Sequence, residues 1–273
     1  MTDMPNPAQL LGKERYDTLD LRRIIAVLRA PGGCPWDAKQ THASIKKNFI
    51  EETYEAIEAI NKGDDALLCE ELGEVLLQVG LHTQMASERG AFDWDSVTDG
   101  ICRKLIERHP HVFGDTQVTG VDNVLSNWDA IKRKSKGQGS TAGAMADIPR
   151  ELPALMRATK LQKKAAQEGF DWPDIAGALE RLEEEIRELR MAVGEGDSGH
   201  CVDELGDVLF SAVNVSRFLP DCDAEEALTA ANDKFLRRYG IVEALAKEKG
   251  IEMRAAPLDE LDRLWDMAKA KEK

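Results

Sequence analysis

The chain has 273 residues, 42% of them hydrophobic but only 5% aromatic, and a formal net charge of −14 at neutral pH. The acid excess runs throughout: residues 1–136 carry 17 basic and 22 acidic side chains, and residues 137–273 carry 19 and 28. Neither part offers the basic footprint that duplex nucleic acid or an anionic membrane requires, and the length suffices for two ordinary domains.

The composition, rich in Leu, Ala, Val and Ile, suits helical bundles, and no stretch alternates as a strand would. Cys34, Cys69, Cys102, Cys201 and Cys222 are widely spaced and contain no CxxC, so they read as reduced thiols of a cytoplasmic protein. The N-terminus is polar and no apolar run approaches ~18 residues, so neither secretion nor membrane spanning is expected.

In chain order, Thr18–Ala30 has helical periodicity, with Asp17 or Thr18 placed to cap it and Pro31-Gly32-Gly33 to end it. The stretch Gly33-Cys34-Pro35-Trp36-Asp37 reads as a turn without a phosphate-loop signature, with Trp36 as a core anchor. Ser44–Ile60 and Asp65–Arg89 are two acid-bearing helices, and Asp95 is placed to cap a third that carries Lys104 and Arg108 and stops at His109-Pro110. His109 and His111 have no further ligand at metal spacing and read as surface or capping residues. A short helix is expected over 122–134, with Trp128 and Lys132, followed by the Gly- and Ser-rich run from Ser135 to Gly143. Helices from about Pro153 to Gln167, into Glu184–Glu188, after Gly199, over Asp223–Tyr239 and over Leu258–Ala270 complete the chain. Pro173 suits a first helical turn, and the aromatics Phe170 and Trp172 before it suit either a core or stacking on a base.

The chemistry lies in two matched segments. Glu184-Glu185-Ile186-Arg187-Glu188 and Glu204-Leu205-Gly206-Asp207 flank a Gly-rich break, and Gly196 is the midpoint of both Glu188/Glu204 and Glu185/Asp207. An antiparallel hairpin bent there sets these acids level in pairs, and the i, i+3 spacing keeps each helix's two acids on one face. Four carboxylates should therefore meet roughly 12 Å from the bend at ~1.5 Å rise per residue. Their mutual repulsion calls for a cation, and an all-oxygen set suits a hard ion, Mg²⁺ or Mn²⁺. The same unit stands 133 residues upstream as Glu51-Glu52-Thr53-Tyr54-Glu55 and Glu71-Leu72-Gly73-Glu74, centred on Gly63. Each pair of acid helices is followed by a basic one, Lys104 and Arg108 in the first case and Lys234 and Arg238 in the second, which marks a duplication. Taken alone, each such motif is more often a solvated helix face; the doubled pattern carries the reading.

A divalent-metal carboxylate site beside Lys and Arg suits metal-assisted phosphoanhydride hydrolysis. No Ser, Cys or His is arranged as a nucleophile, so a metal-activated water is the economical attacker, with Glu184 or Glu185 as general base. A di-iron bundle would need Glu-x-x-His, which neither unit has. A non-catalytic nucleotide sensor or helical scaffold stays open as the alternative.

The doubled EExxE and ExxD pattern, with GCPWD and Gln40-Thr41 upstream, Gly169-Phe170-Asp171-Trp172 before the second unit and the joining segment Asp147–Ala158, resembles the MazG family of nucleoside triphosphate pyrophosphohydrolases. The resemblance spans nearly the whole chain. It implies an all-α fold built as a tandem duplication of a helical-bundle domain: residues 1–136, a flexible linker 137–146, and a catalytic domain 147–273. It further implies cleavage of NTPs between the α and β phosphates to give NMP and pyrophosphate. Mg²⁺ would be held by Glu185, Glu188, Glu204 and Asp207. Lys234 and Arg238 would contact phosphates, with Lys132 and Trp172 as looser candidates for the nucleotide, and the chain would pair as a homodimer. The first unit departs from the pattern because Glu74 stands where the family has Asp. Its acids (Glu52, Glu55, Glu71, Glu74) are therefore expected to form a weaker or regulatory site.

Overall fold

The computed structural model describes residues 7–121, 123–124, 127–128, 131 and 140–272, and among these no strand occurs. Two compact units, Met1–Lys132 and Arg133–Lys273, divide the chain.

The first unit contains α1 (Thr18–Arg29), α2 (Pro35–Lys39), α3 (Lys46–Lys62), α4 (Asp65–Glu88), α5 (Trp94–Arg108) and α6 (Pro110–Phe113). Asp17 caps α1 in a capping box with Asp20, and buried Asp20 is also held by Lys13 Nζ at 2.6 Å. The core forms where α1 crosses α4: Ile25, Ile45, Leu81 and Met85 are buried together. Gly80 permits that crossing, since a Cβ there would collide with Ile25 Cδ1. Asp93, not Asp95, caps α5, accepting from Ser96 N at 2.8 Å; Asp95 instead pairs with Arg22 across the unit. The GCPWD segment enters the short helix α2, with Pro35 in its first turn. Trp36 is 62% exposed, so the core role expected of it fails: the short helix that carries it buries none of its residues. The helix expected over 122–134, Lys132 included, falls largely outside the described residues.

The second unit contains α7 (Thr141–Ala146), α8 (Ala154–Ala166), α9 (Ile175–Glu195), α10 (Ser198–Ser216), α11 (Ala224–Lys249) and α12 (Leu258–Lys271). The stretch expected as linker over 137–146 is thus partly ordered: Ser140 accepts from Gly143 N and caps an Ala-rich turn. Asp174 caps α9, which leaves Pro173 just outside the helix. α11 runs ten residues past Tyr239, because Val242, Leu245 and Ala246 bury against Leu264 and Ala268 of α12.

The same device closes both acid hairpins. Gly63 (φ 65°) and Gly196 (φ 74°) end α3 and α9 in the left-handed conformation, and Asp64 and Asp197 at once cap the returning helices. Ala59 and Ala192, at equivalent positions before each bend, are fully buried, and their small side chains let the paired helices close.

Candidate active site

On α9 and α10 three of the four acids expected to meet come together, and Asp207 is not among them, just as Glu74 is not in the first unit. One carboxylate oxygen from each of Glu185, Glu188 and Glu204 lies within 4.8 Å of the others. Asp207, one turn beyond Glu204, is exposed, yet its charge is close enough to raise the proton affinity of Glu185.

Glu185 is 3% exposed, and burial holds its carboxyl above the ordinary range. Arg181, one turn back, opposes that rise through an ion pair of 2.6 Å to Oε1. The neighbouring Glu188 and the charge of Asp207 add to it, and a cation among these acids would relieve that repulsion. Glu185 Oε2 and Glu204 Oε2 are both buried without a hydrogen-bond partner. An acceptor sealed without a donor costs about 1–3 kcal/mol, and more when charged. These orphaned oxygens, in a set made only of oxygen, fit a hard divalent cation held by Glu185, Glu188 and Glu204 with Asp207 beside them.

Around this core, Arg181 also binds Glu184 at 2.5 Å, which leaves Glu184 on the rim, half-exposed. His200 Nε2 lies 3.0 Å from Glu204 Oε1, and its Nδ1 lies 3.7 Å from Glu195. Sequence reasoning passed over Arg181 and His200, although both stand four residues before an acid of the cluster on the same helix face.

In the first unit, one oxygen from each of Glu52, Glu55 and Glu71 also lies within 4.8 Å of the others. Burial and the charges of Glu55, Glu74 and Glu51 raise Glu52, while a hydrogen bond from Gln78 works against the rise. Burial and neighbouring acids raise Glu71 as well. Among the described residues no carboxylate oxygen of this cluster is buried and unpartnered; the orphan here is Gln78 Oε1.

The basic residues stand apart. Lys234 and Arg238 lie on α11, which packs on α8 and α12, whereas α9 and α10 pack on each other and α10 on α8. Lys234 is exposed, and Arg238 is bound at 2.6 Å by Glu272, the residue that ends α12. Trp172 borders a pocket against α8 and α10 and is 41% exposed. Phe170 is 84% exposed, which removes the core reading for both aromatics. His109 ends α5 and its Nδ1 lies 2.6 Å from Leu105 O, in keeping with a capping role.

A doubled helical hairpin that brings acids to one point defines a class of all-α carboxylate proteins, with one candidate cation site in each unit. Comparison with known proteins narrows the class. A profile described as the MazG nucleotide pyrophosphohydrolase domain matches residues 40–113 and 175–242, one segment in each unit. The nucleoside triphosphate pyrophosphohydrolase/pyrophosphatase MazG of Thermotoga maritima is 44% identical over 250 residues, covering 92% of this chain and 94% of that protein. The nucleoside triphosphate pyrophosphohydrolase of Escherichia coli is 41% identical over 255 residues, covering 92% of this chain and 97% of that protein. The uncharacterized protein YabN of Bacillus subtilis is 47% identical over 253 residues, with 51% of its length covered. The chain belongs to the MazG family.

Proposed function

We propose that the second unit hydrolyses nucleoside triphosphates at the α–β phosphoanhydride, releasing nucleoside monophosphate and pyrophosphate, with Mg²⁺ as the cofactor. The observation that carries this reading is the pair of buried, unpartnered oxygens on Glu185 and Glu204. The names of the relatives supply the substrate class. Bound Mg²⁺ supplies charge neutralisation and a lowered water pKa. Glu185, Glu188 and Glu204 hold the cation, with Asp207 completing the set. Glu184, on the rim and oriented by Arg181, orients or deprotonates the attacking water; Glu185 is the other candidate for that role. Lys234 and Arg238 serve the phosphates once Arg238 leaves Glu272. Pyrophosphate release from mixed NTPs, with Mg²⁺ and with EDTA, tests the proposal: it predicts turnover only with the metal, and none in either condition would overturn it.

We also propose that the hairpin pairs with a second copy of the chain. Val202, Leu205 and Leu209, at i, i+3 and i+7 on α10, are 71%, 47% and 51% exposed, an apolar stripe that a partner would cover. Light scattering at the mass of one chain would overturn this. No helix among the described residues is long and apolar enough to cross a membrane.

A further inference from the structure

Glu204 is held from the direction of the bend. Gly196 turns the chain, and Asp197 then caps α10, accepting from Gly199 N at 2.9 Å and from His200 N at 3.2 Å. The backbone of His200 is thereby fixed in the first turn of the helix. Its ring reaches one turn further and meets Glu204, with Nε2 3.0 Å from Oε1. An ionised carboxylate only accepts, so Nε2 carries the hydrogen and donates it. The other ring nitrogen, Nδ1, lies 3.7 Å from Glu195, too far for a hydrogen bond.

The two oxygens of Glu204 are therefore divided. Oε1 belongs to His200, while Oε2 is buried without a partner. The side chain of His200 is 46% exposed and that of Glu204 14%, so the ring stands on the solvent side of the carboxylate it binds. Glu185 shows the same division: Arg181, also four residues earlier on its helix, pairs with Oε1 at 2.6 Å, and Oε2 is left over. The terminal torsion of a glutamate is broad, so a carboxylate swings unless one oxygen is held, and holding one places the other.

The first unit lacks this device. Leu67 stands where the second unit has His200, so Glu71 has no donor one turn before it, and Lys62 stands where the second unit has Glu195. Among the described residues that cluster has no buried, unpartnered carboxylate oxygen either. The donor and the reserved oxygen occur together or not at all.

We propose that His200 is a positioning residue for the cation site: its Nε2–H holds Glu204 Oε1, so that Oε2 is kept for the metal. The role belongs to the hydrogen bond, so an amide donor of the same reach would serve. At Arg181 the corresponding tie brings a permanent positive charge as well. The inference rests on the cation reading of this cluster and not on turnover.

Mn²⁺ binding, read from the paramagnetic resonance signal of the free ion, tests it. All chains carry Glu55→Ala to disable the first cluster. His200→Ala leaves an exposed helix position filled by a good helix former, so the fold is not at stake. It should weaken Mn²⁺ binding about 10- to 100-fold, the usual loss when an outer partner of a metal ligand is removed. His200→Gln, whose Nε2 stands the same number of bonds from the backbone, should stay within about 3-fold of the His200 chain. In pyrophosphate release, His200→Ala should raise the Mg²⁺ needed for half-maximal rate by the same factor, with KM for ATP at saturating Mg²⁺ unchanged. Mn²⁺ affinity in His200→Ala within about 3-fold of the His200 chain, or tighter, would overturn the proposal, and so would equal weakening in His200→Gln. A His200 chain that binds Mn²⁺ yet releases no pyrophosphate refutes hydrolysis alone, and binding still decides the role of His200. One that binds no Mn²⁺ overturns the cation site and this role together.

Discussion

The two acid hairpins share spacing, bend and caps, yet they differ in what surrounds the carboxylates. In the second unit Glu185 is buried under Arg181, and two oxygens are sealed without a donor. In the first, Asn48 stands where Arg181 would be, Glu55 is exposed, and Gln78 reaches Glu52. The position equivalent to Gln78 in the second unit is Ser211, buried and too short to serve as the same amide donor. In one cluster a protein amide offsets part of the repulsion; the other retains buried lone pairs that a cation would satisfy. A duplicated scaffold thus preserves the approach of the acids while a few flanking residues set how strongly each cluster would hold an ion.

The largest effect expected from breaking this contrast is catalytic. Glu188→Ala should lower pyrophosphate release by more than roughly 100-fold, since even outer partners of a metal are worth about 10- to 100-fold. Glu55→Ala should leave release within about 3-fold on the same scale. The reverse result would move the working site to the first unit.

Stability should follow the same asymmetry. Glu185→Gln removes a buried charge, so in EDTA at neutral pH it should raise the melting temperature by about 2–4 °C for each kcal/mol relieved. It should also abolish the upward shift that Mg²⁺ gives the parent. Glu52→Gln, whose target already accepts from Gln78, should do less of both. Calorimetry with and without metal decides.

The pH dependence has a definite sign. Glu185, Glu52 and Glu71 all have carboxyls raised above the ordinary 4.5, chiefly by burial. Above that pH the folded chain therefore binds more protons than the unfolded one. Their contribution to stability is full below pH 4.5 and lost as pH rises through the raised values. In EDTA the melting temperature should fall from mildly acid to neutral pH, and Mg²⁺ should flatten the decline. A metal-free curve that rises over this range would contradict the assignment.

The smallest effect belongs to Arg181→Asn, which gives the second unit the first unit's residue at that position. A partly exposed ion pair is worth about 0.2–1 kcal/mol, and its loss removes a positive charge that repels the cation, so a fall of about 2- to 5-fold in the Mg²⁺ needed for half-maximal release is expected. No change would make Arg181 a bystander.

Much of this was legible in the residue order. Helical period, the glycines at 63 and 196 and the acids equidistant from them imply the hairpins and their convergence, because those relations are local to two helices and one bend. What escaped were relations set by how further helices pack. The i, i+4 spacing of Lys234 and Arg238 places them on one face of α11, but only the packing of α12 gives Arg238 to Glu272. The exposure of Trp36 likewise depends on which neighbours arrive, and no short motif specifies that. Arg181 lay within reach of the same periodic argument that found Glu185.

The left-handed glycine at the tip of each hairpin also limits how these chains can change length. A single residue inserted or deleted between Glu188 and the bend would rotate that acid by about 100° and slide it about 1.5 Å relative to Glu204. Indels should therefore be tolerated before Glu185 or after Asp207 far more readily than between them. The number of residues separating the facing acids is as much a part of the site as their identity.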